Sequence, residues 1–370
     1  MHGIAHGAAT VPAAATSFAG RIVAWQRAHG RHDLPWQRTR DPYRLWLAEI
    51  MLQQTQVATV RPYYERFLAR FPDVPTLAAA SEEEVLTLWA GLGYYRRARN
   101  LHAAARAVVA EHGGQFPRSV DALAALPGIG RSTAAAIAAF AWDVVAPILD
   151  GNVKRVLARH AAVEAVAGSA AAERTLWRLA GERLPQSSAD MVAYTQGLMD
   201  LGATVCTRGV PDCARCPVAD DCVARATGRS AELPRARTRP ALTERRGRFL
   251  LLTHGADVAM VKRPGQGVWG ALWCLPELPL DASDAEIDAI AARFGARALG
   301  ARQTLADVRH RFTHFQLTFA TERIACARRE PHAAEPGVLW LALDAAAEAA
   351  VPKPIAQLLR RGAADETSAS

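Results

Sequence analysis

Four cysteines, Cys206, Cys213, Cys216 and Cys222, fall in the pattern C-x6-C-x2-C-x5-C within 17 residues. Loops this short can gather four thiolates around one metal centre. A zinc site usually shows two paired knuckles, and only one Cys-x2-Cys pair occurs here. Four unrelated buried cysteines are the plain alternative. Cys274 and Cys326, the other two of the six, stand alone and read as core residues.

Two carboxylates offer a second kind of chemistry. Glu49 is the only acid in Leu45-Trp46-Leu47-Ala48-Glu49-Ile50-Met51-Leu52, so desolvation should raise its pKa and let it donate a proton. An exposed glutamate on an amphipathic helix is the bland reading. Asp150 follows the apolar Pro147-Ile148-Leu149 and precedes a helical pattern. There it would cap the helix start, with backbone N–H groups holding its carboxylate ionised. A neutral and a charged carboxyl together suit glycosidic bond cleavage: one protonates the leaving group, the other stabilises a sugar cation.

Between two helical patterns lies Leu126-Pro127-Gly128-Ile129-Gly130-Arg131-Ser132-Thr133. Its glycines allow a tight turn, and a helix starting at Ser132 or Thr133 would present N–H groups to a phosphate. Such contacts grip a nucleic-acid backbone without reading sequence. The plain alternative is a glycine-rich helix connection. Gln53-Gln54-Thr55-Gln56 carries amides able to bond base edges, and Gly91-Leu92-Gly93-Tyr94-Tyr95 sets an aromatic on a glycine-flanked turn. A polar helix face and a core tyrosine are their ordinary readings.

The elements that must position these residues divide the chain in two. From Phe18 to about Arg225 apolar residues recur at helical spacing, with a start at Asp41-Pro42 and a run from Leu45 to Val57. Further helices are expected over 82–89, 98–109, 120–126, 133–140 and 153–160, with no alternating strand pattern, so this is an all-helical domain. Residues 226–246 hold prolines, glycine and many arginines and read as a basic linker, lying on a polyanion or simply solvated. After residue 247, Phe249–Leu252, Val258–Val261 and Phe312–Phe319 read as strands, with helices at Asp284–Phe294 and Ile355–Arg360. A separate α+β domain over 247–362 is the expectation, with loose tails at 1–17 and 363–370.

The chain of 370 residues is half hydrophobic, ample for two or three domains, and carries a formal charge of +8. That charge admits a polyanionic partner. No run reaches about 20 apolar residues, so no membrane partner is expected. Met1–Ser17 lacks the basic-then-apolar order of a signal peptide, so the cytoplasm is the expected compartment, where clustered cysteines favour metal over disulfides.

These motifs together resemble the endonuclease III/MutY superfamily, and from Leu34 to Cys222 the MutY adenine glycosylases in particular. The cysteine spacing matches the superfamily's [4Fe–4S] loop, and Leu126–Thr133 resembles its helix–hairpin–helix. LWLAEIMLQQTQVATV (45–60) and ILDGNVKRVLAR (148–159) look like the family's two catalytic segments. The resemblance makes Glu49 the acid/base and Asp150 the stabiliser of the sugar cation. It also puts Gln54 and Tyr94 beside 8-oxoguanine as wedge residues, Trp36 and Gln37 at the adenine pocket, and Asn152 near the catalytic water. Where backbone-cleaving relatives carry a lysine, this chain has Ser132, whose hydroxyl forms no imine, so hydrolysis alone is implied.

Gly267-Val268-Trp269-Gly270-Ala271-Leu272-Trp273 resembles the family's C-terminal Nudix-like domain. Only Glu277 and Glu286 follow, without a Mg²⁺-binding glutamate box, so lesion recognition rather than nucleotide hydrolysis is implied. The family's lesion-reading Phe-Ser-His is Phe312-Thr313-His314 here, which keeps the hydroxyl and adds a methyl group. The expected partner is double-stranded DNA with adenine opposite 8-oxoguanine or guanine, bound by a monomer. Other readings are a mismatch glycosylase for uracil or thymine, and an inactive DNA-scanning module.

Overall fold

The computed structural model describes residues 16–238, 241–328 and 337–367. Most of the expected N-terminal tail lies outside these residues. Ser17 does not belong to a tail, because its hydroxyl accepts from Gly20 N at 3.0 Å and caps the Phe18–His29 helix. The chain forms two compact units. One takes in the described residues up to Ala79 together with those from Ala103 to 238; the other takes in Ala80–His102 and those from 241 onward.

The first unit is helical, as its spacing predicts. Asp41 Oδ1 accepts from Tyr43 N at 2.9 Å, and Pro42 opens the Pro42–Leu52 helix. That helix stops at Leu52, not near Val57: Gln54 takes φ 59°, and the next helix, Val57–Arg70, starts afresh. Apolar spacing continues across this break, which hides it from periodicity. The Leu126–Gly130 turn joins the helices Val120–Ala125 and Arg131–Trp142, the latter starting before the expected Ser132 or Thr133. Only Gly128 needs a left-handed backbone (φ 76°). At Gly130, φ is −84°, and a Cβ there would meet nothing within 4 Å, so its use is an open approach to backbone N–H groups.

The core of this unit gathers the Phe18–His29, Arg131–Trp142, Gly151–His160 and Met191–Thr204 helices through Ile22, Ala139, Leu157 and Leu198. Gly197 lets two of them touch closely: a Cβ there would lie 2.9 Å from both Ile22 Cγ2 and Gln26 Cβ. The expected basic linker is partly folded onto this unit. Arg229 pairs with Glu164 and Glu232, Leu233 is buried, and Arg159 Nε donates to Leu233 O at 2.8 Å. Its charge is therefore partly neutralised, and residues from Thr243 onward are already strand.

The second unit contains a mixed sheet. Its strands among the described residues are β1 (Thr243–His254), β2 (Asp257–Lys262), β3 (Trp273–Cys274), β4 (Glu277–Leu278), β5 (Ala296–Ala298), β6 (Gln303–Arg311), β7 (Phe315–Arg328) and β8 (Val338–Ala342). The order is β3-β2-β1-β7-β5, with β4 beside β1, β6 beside β7 and β8 beside β2. β1 runs parallel to β7 from Thr243–Phe315 to Thr253–Ala325. Phe249–Leu252 is buried without alternation, as a central strand covered on both faces requires. Ile287 and Ala291 of the Asp284–Arg293 helix pack on Leu250 and Leu252. Cys274 and Cys326 are buried, as expected of core residues. The strand expected from Phe312 begins at Phe315, since Phe312–His314 form the turn after β6. The last helix, Lys353–Thr367, continues through residues read as tail.

Gly197→Ala should cost about 1–3 kcal/mol through overpacking against Ile22 and Gln26. Thermal melting checks this; an unchanged midpoint contradicts the close approach.

Candidate active site

Glu49 lies on a helix that buries Leu45, Trp46, Leu47, Ala48, Ile50 and Met51. Glu49 as a whole is half-buried, and the protein packed around its carboxyl leaves little water to stabilise its charge. Burial first, and the charge of Asp150 second, push it up to about 8. Asp150 caps the Gly151–His160 helix, its Oδ1 accepting from Asn152 N at 2.9 Å and Val153 N at 2.7 Å. These bonds, with Arg155 and Lys154, favour its charge, yet burial outweighs them and its pKa moves up, not down as the cap alone implies. The charge of Asp150 in turn adds to the upward shift of Glu49, and among the two only Asp150 has backbone N–H groups and cations that favour its ionised form. The pair thus divides into acid and anion.

Ser132 takes part in holding Asp150. Its Oγ accepts from Leu149 N at 2.8 Å, tying the start of the helix after the hairpin to the residue before Asp150. Asn152 does not stand free, because its Oδ1 accepts from Arg155 Nη2 at 2.8 Å. Gly202 lets the Met191–Thr204 helix approach it; a Cβ there would lie 2.6 Å from Asn152 Cβ.

The sequence reading passed over Arg155 and Arg159. Both are buried, four residues apart on one helix face. Arg155 donates to Gly202 O at 2.6 Å and Cys206 O at 2.7 Å; Arg159 donates to Thr207 O at 2.6 Å and approaches Cys206 Sγ at 3.4 Å. One helix therefore carries the Asp150 cap at its start and holds the cysteine loop along its side. The i, i+4 arginine pair within an otherwise apolar face was the available signal.

Cys206, Cys213, Cys216 and Cys222 line one cavity with Arg159, Val205 and Val218. Burial foremost, and the other three thiols as well, push Cys216 up to about 11. Among the described residues, no group of three or more His, Cys, Asp or Glu side chains converges as a single metal ion requires. The four thiols ringing this cavity are a donor set of the kind an iron–sulfur cluster would use, one thiolate to each iron. Arg208 and Arg215 are exposed on the same loop.

Trp36 and Gln37 line a second cavity of about 320 Å³ with Gln26, His32, Phe140 and Gln196. Neither Glu49 nor Asp150 is among its lining residues. Gln37 spends its amide on the loop, accepting from Leu34 N and donating to Arg31 O. That loop is anchored by the buried Asp200, which accepts from Arg31 N at 2.8 Å, Arg31 Nε at 2.7 Å and Gln196 Nε2 at 2.8 Å. Gln54 and Tyr94 are both exposed on left-handed backbone (φ 59° and 49°). Such strain in non-glycine residues concentrates at functional positions. Thr313 and His314 stand exposed on the β6–β7 turn, while Phe312 stacks on Phe315 at 4.4 Å and contacts Trp269 at 5.9 Å.

A model of the HhH-GPD superfamily base excision DNA repair proteins matches residues 47–182, and a NUDIX domain model matches 248–361. The solved structure of a thermostable thymine-DNA glycosylase is 28% identical, with a TM-score of 0.50, covering 57% of this chain and 95% of that one. The chain is thus a helix–hairpin–helix glycosylase-superfamily protein followed by a Nudix-type domain. It is 30% identical to the adenine DNA glycosylase of Buchnera aphidicola subsp. Schizaphis graminum, over 92% of this chain and 97% of that protein. It is 33% identical to the adenine DNA glycosylase of Homo sapiens, over 93% and 74% respectively. It belongs to the adenine DNA glycosylase family. Among the described residues no helix is long and apolar enough to cross a membrane.

The raised Glu49 pKa has a stability consequence. The folded state favours protonated Glu49, so that contribution is full below about pH 4.5 and disappears as pH rises through about 8. Glu49→Gln should therefore melt progressively higher than the native protein between these pH values, with the gap level above 8. Parallel melting curves across that range would contradict a desolvated Glu49.

Proposed function

We propose that this protein hydrolyses the N-glycosidic bond of adenine opposite 8-oxoguanine or guanine in double-stranded DNA, as a monofunctional, monomeric glycosylase of the cytoplasm. The observation that carries the reading is the Glu49–Asp150 pair, one carboxyl raised to about 8 beside another whose charge helps to raise it. At neutral pH Glu49 is protonated and gives its proton to a ring nitrogen of the extruded adenine. The C1′–N9 bond then breaks with its electron pair leaving on the base, and the Asp150 carboxylate stabilises the sugar cation. Water adds to C1′ and surrenders a proton to Glu49, restoring the acid. Ser132 supports the monofunctional assignment, being without an amine and hydrogen-bonded to Leu149 N.

Trp36 and Gln37 would bound the adenine site from its side away from Glu49 and Asp150, with Gln37 shaping the wall rather than reading the base. Gly128 and Gly130 would admit a phosphate at the hairpin, and Gln54 and Tyr94 would enter the helix beside the lesion. Thr313 and His314, exposed at their turn, would contact 8-oxoguanine. Cys206, Cys213, Cys216 and Cys222 would hold one [4Fe–4S] cluster, whose Fe–S bonds cross-link their loop.

Single-turnover excision from a duplex with one adenine opposite 8-oxoguanine tests the chemistry. The native protein should leave abasic sites that break only on added alkali, more slowly as pH rises above about 8. Glu49→Gln should abolish this product, and strand breakage without alkali would overturn the monofunctional assignment. Iron and acid-labile sulfide should both approach four per chain and fall on Cys213→Ser; stoichiometric zinc without sulfide contradicts the cluster.

A further inference from the structure

The exposed Tyr94 turn is joined to the C-terminal sheet by hydrogen bonds from its own flanks. The Tyr95 hydroxyl accepts from Gly91 N at 3.4 Å and donates to Val351 O at 3.0 Å, so one atom bridges the turn and the second unit's C-terminal part. One turn along the helix that starts at Arg96, Arg99 Nη1 donates to Gly265 O and Gly270 O. Both carbonyls belong to the loop carrying Trp269, which closes tightly on itself: Ala271 N donates to Pro264 O at 3.0 Å. A Cβ on Gly270 would sit 2.6 Å from Gly265 O. On the other side of the turn, Glu83 accepts from Trp273 Nε1 at 2.6 Å and from Lys262 Nζ at 3.0 Å.

The turn is braced internally as well. Gly93 O accepts from Trp89 Nε1 at 3.1 Å and Arg97 Nη2 at 3.2 Å, and the Arg97 guanidinium lies over the Tyr94 ring. The strained φ of 49° at Tyr94 persists only where the surroundings over-determine it. Here those surroundings include the C-terminal sheet and the Trp269 loop. That loop packs, through Trp269, against Phe312 next to Thr313 and His314.

We infer that Tyr95 and Arg99 are positioning residues that lock the Tyr94 turn to the lesion-reading unit, so that Tyr94 and the Phe312–His314 turn recognise the base opposite adenine as one rigid device. This rests on the lesion reading proposed above. A lesion contact made at the β6–β7 turn then strengthens insertion of Tyr94, and the reverse, because both rest on the Trp269 loop, one through the Arg99 hydrogen bonds and the other through the Trp269–Phe312 contact.

The test compares single-turnover excision of adenine opposite 8-oxoguanine and opposite guanine, with a 2-aminopurine next to the partner base reporting insertion by its fluorescence. Tyr95→Phe keeps the ring and removes the bridging hydroxyl; it should reduce the 8-oxoguanine-over-guanine rate ratio about five-fold, the scale of one neutral hydrogen bond. It should also diminish the fluorescence change on the lesion duplex. Arg99→Ala should act likewise, and Arg99→Lys should recover part of the ratio. Native preference that both variants retain, with unaltered fluorescence, overturns the inference alone. A native protein without any preference overturns the lesion reading and the inference with it. A loss in melting temperature without a change in ratio reduces these contacts to structural ones and also overturns it.

Discussion

The Gly151–His160 helix is the member on which the candidate active site depends. Its first N–H groups are satisfied by Asp150, which fixes that carboxylate at the helix start. Its buried face carries Arg155 and Arg159, whose guanidinium groups would be costly without partners. Their partners are backbone carbonyls of Gly202, Cys206 and Thr207. Desolvation of two arginines thus compels the cysteine loop to lie along the helix that presents Asp150. Position at one end and position at the side are set by the same rigid element.

Opposite in character is the demand placed on Glu49. No hydrogen-bond network is needed to raise its pKa; burial of its carboxyl does so, and a nearby anion adds to it. The same burial acts on Asp150, where two N–H bonds and the cations of Arg155 and Lys154 offset it without reversing the shift. Dipoles and cations thus oppose burial at Asp150, whereas Glu49 has burial and a neighbouring carboxylate acting in the same direction. Ser132 adds to this division by bonding Leu149 N, which holds the chain just before Asp150.

Much of this was legible in the chain. The helix start at Asp41-Pro42, the helix Glu82–Trp89 and the helix at Asp284 follow from caps and periodicity, which act within a few residues. Breaks that leave the pattern intact were not legible: the left-handed Gln54 between two helices, and the turn at Phe312–His314 at the start of a strand-like stretch. Nor was the packing of residues 80–102 with the C-terminal sheet, since the helical pattern there resembles that of its neighbours. The arginines of the linker read as a basic strip, whereas Arg229 is taken up by Glu164, 65 residues away.

The residue types and short spacings by themselves determined the kinds of chemistry present: four thiols on short loops, an isolated acid among apolar residues, and a glycine turn between helices. Those are local properties, and backbone geometry makes them consequences of neighbouring residues. Which groups face one another was decided only by the tertiary structure. The charge of Asp150 on Glu49, the reach of Arg155 to Cys206 and the bridge from Tyr95 to Val351 join distant parts of the chain. Such pairings depend on how helices and sheet pack, because burial sets which polar groups must find partners and packing sets which partners lie within reach.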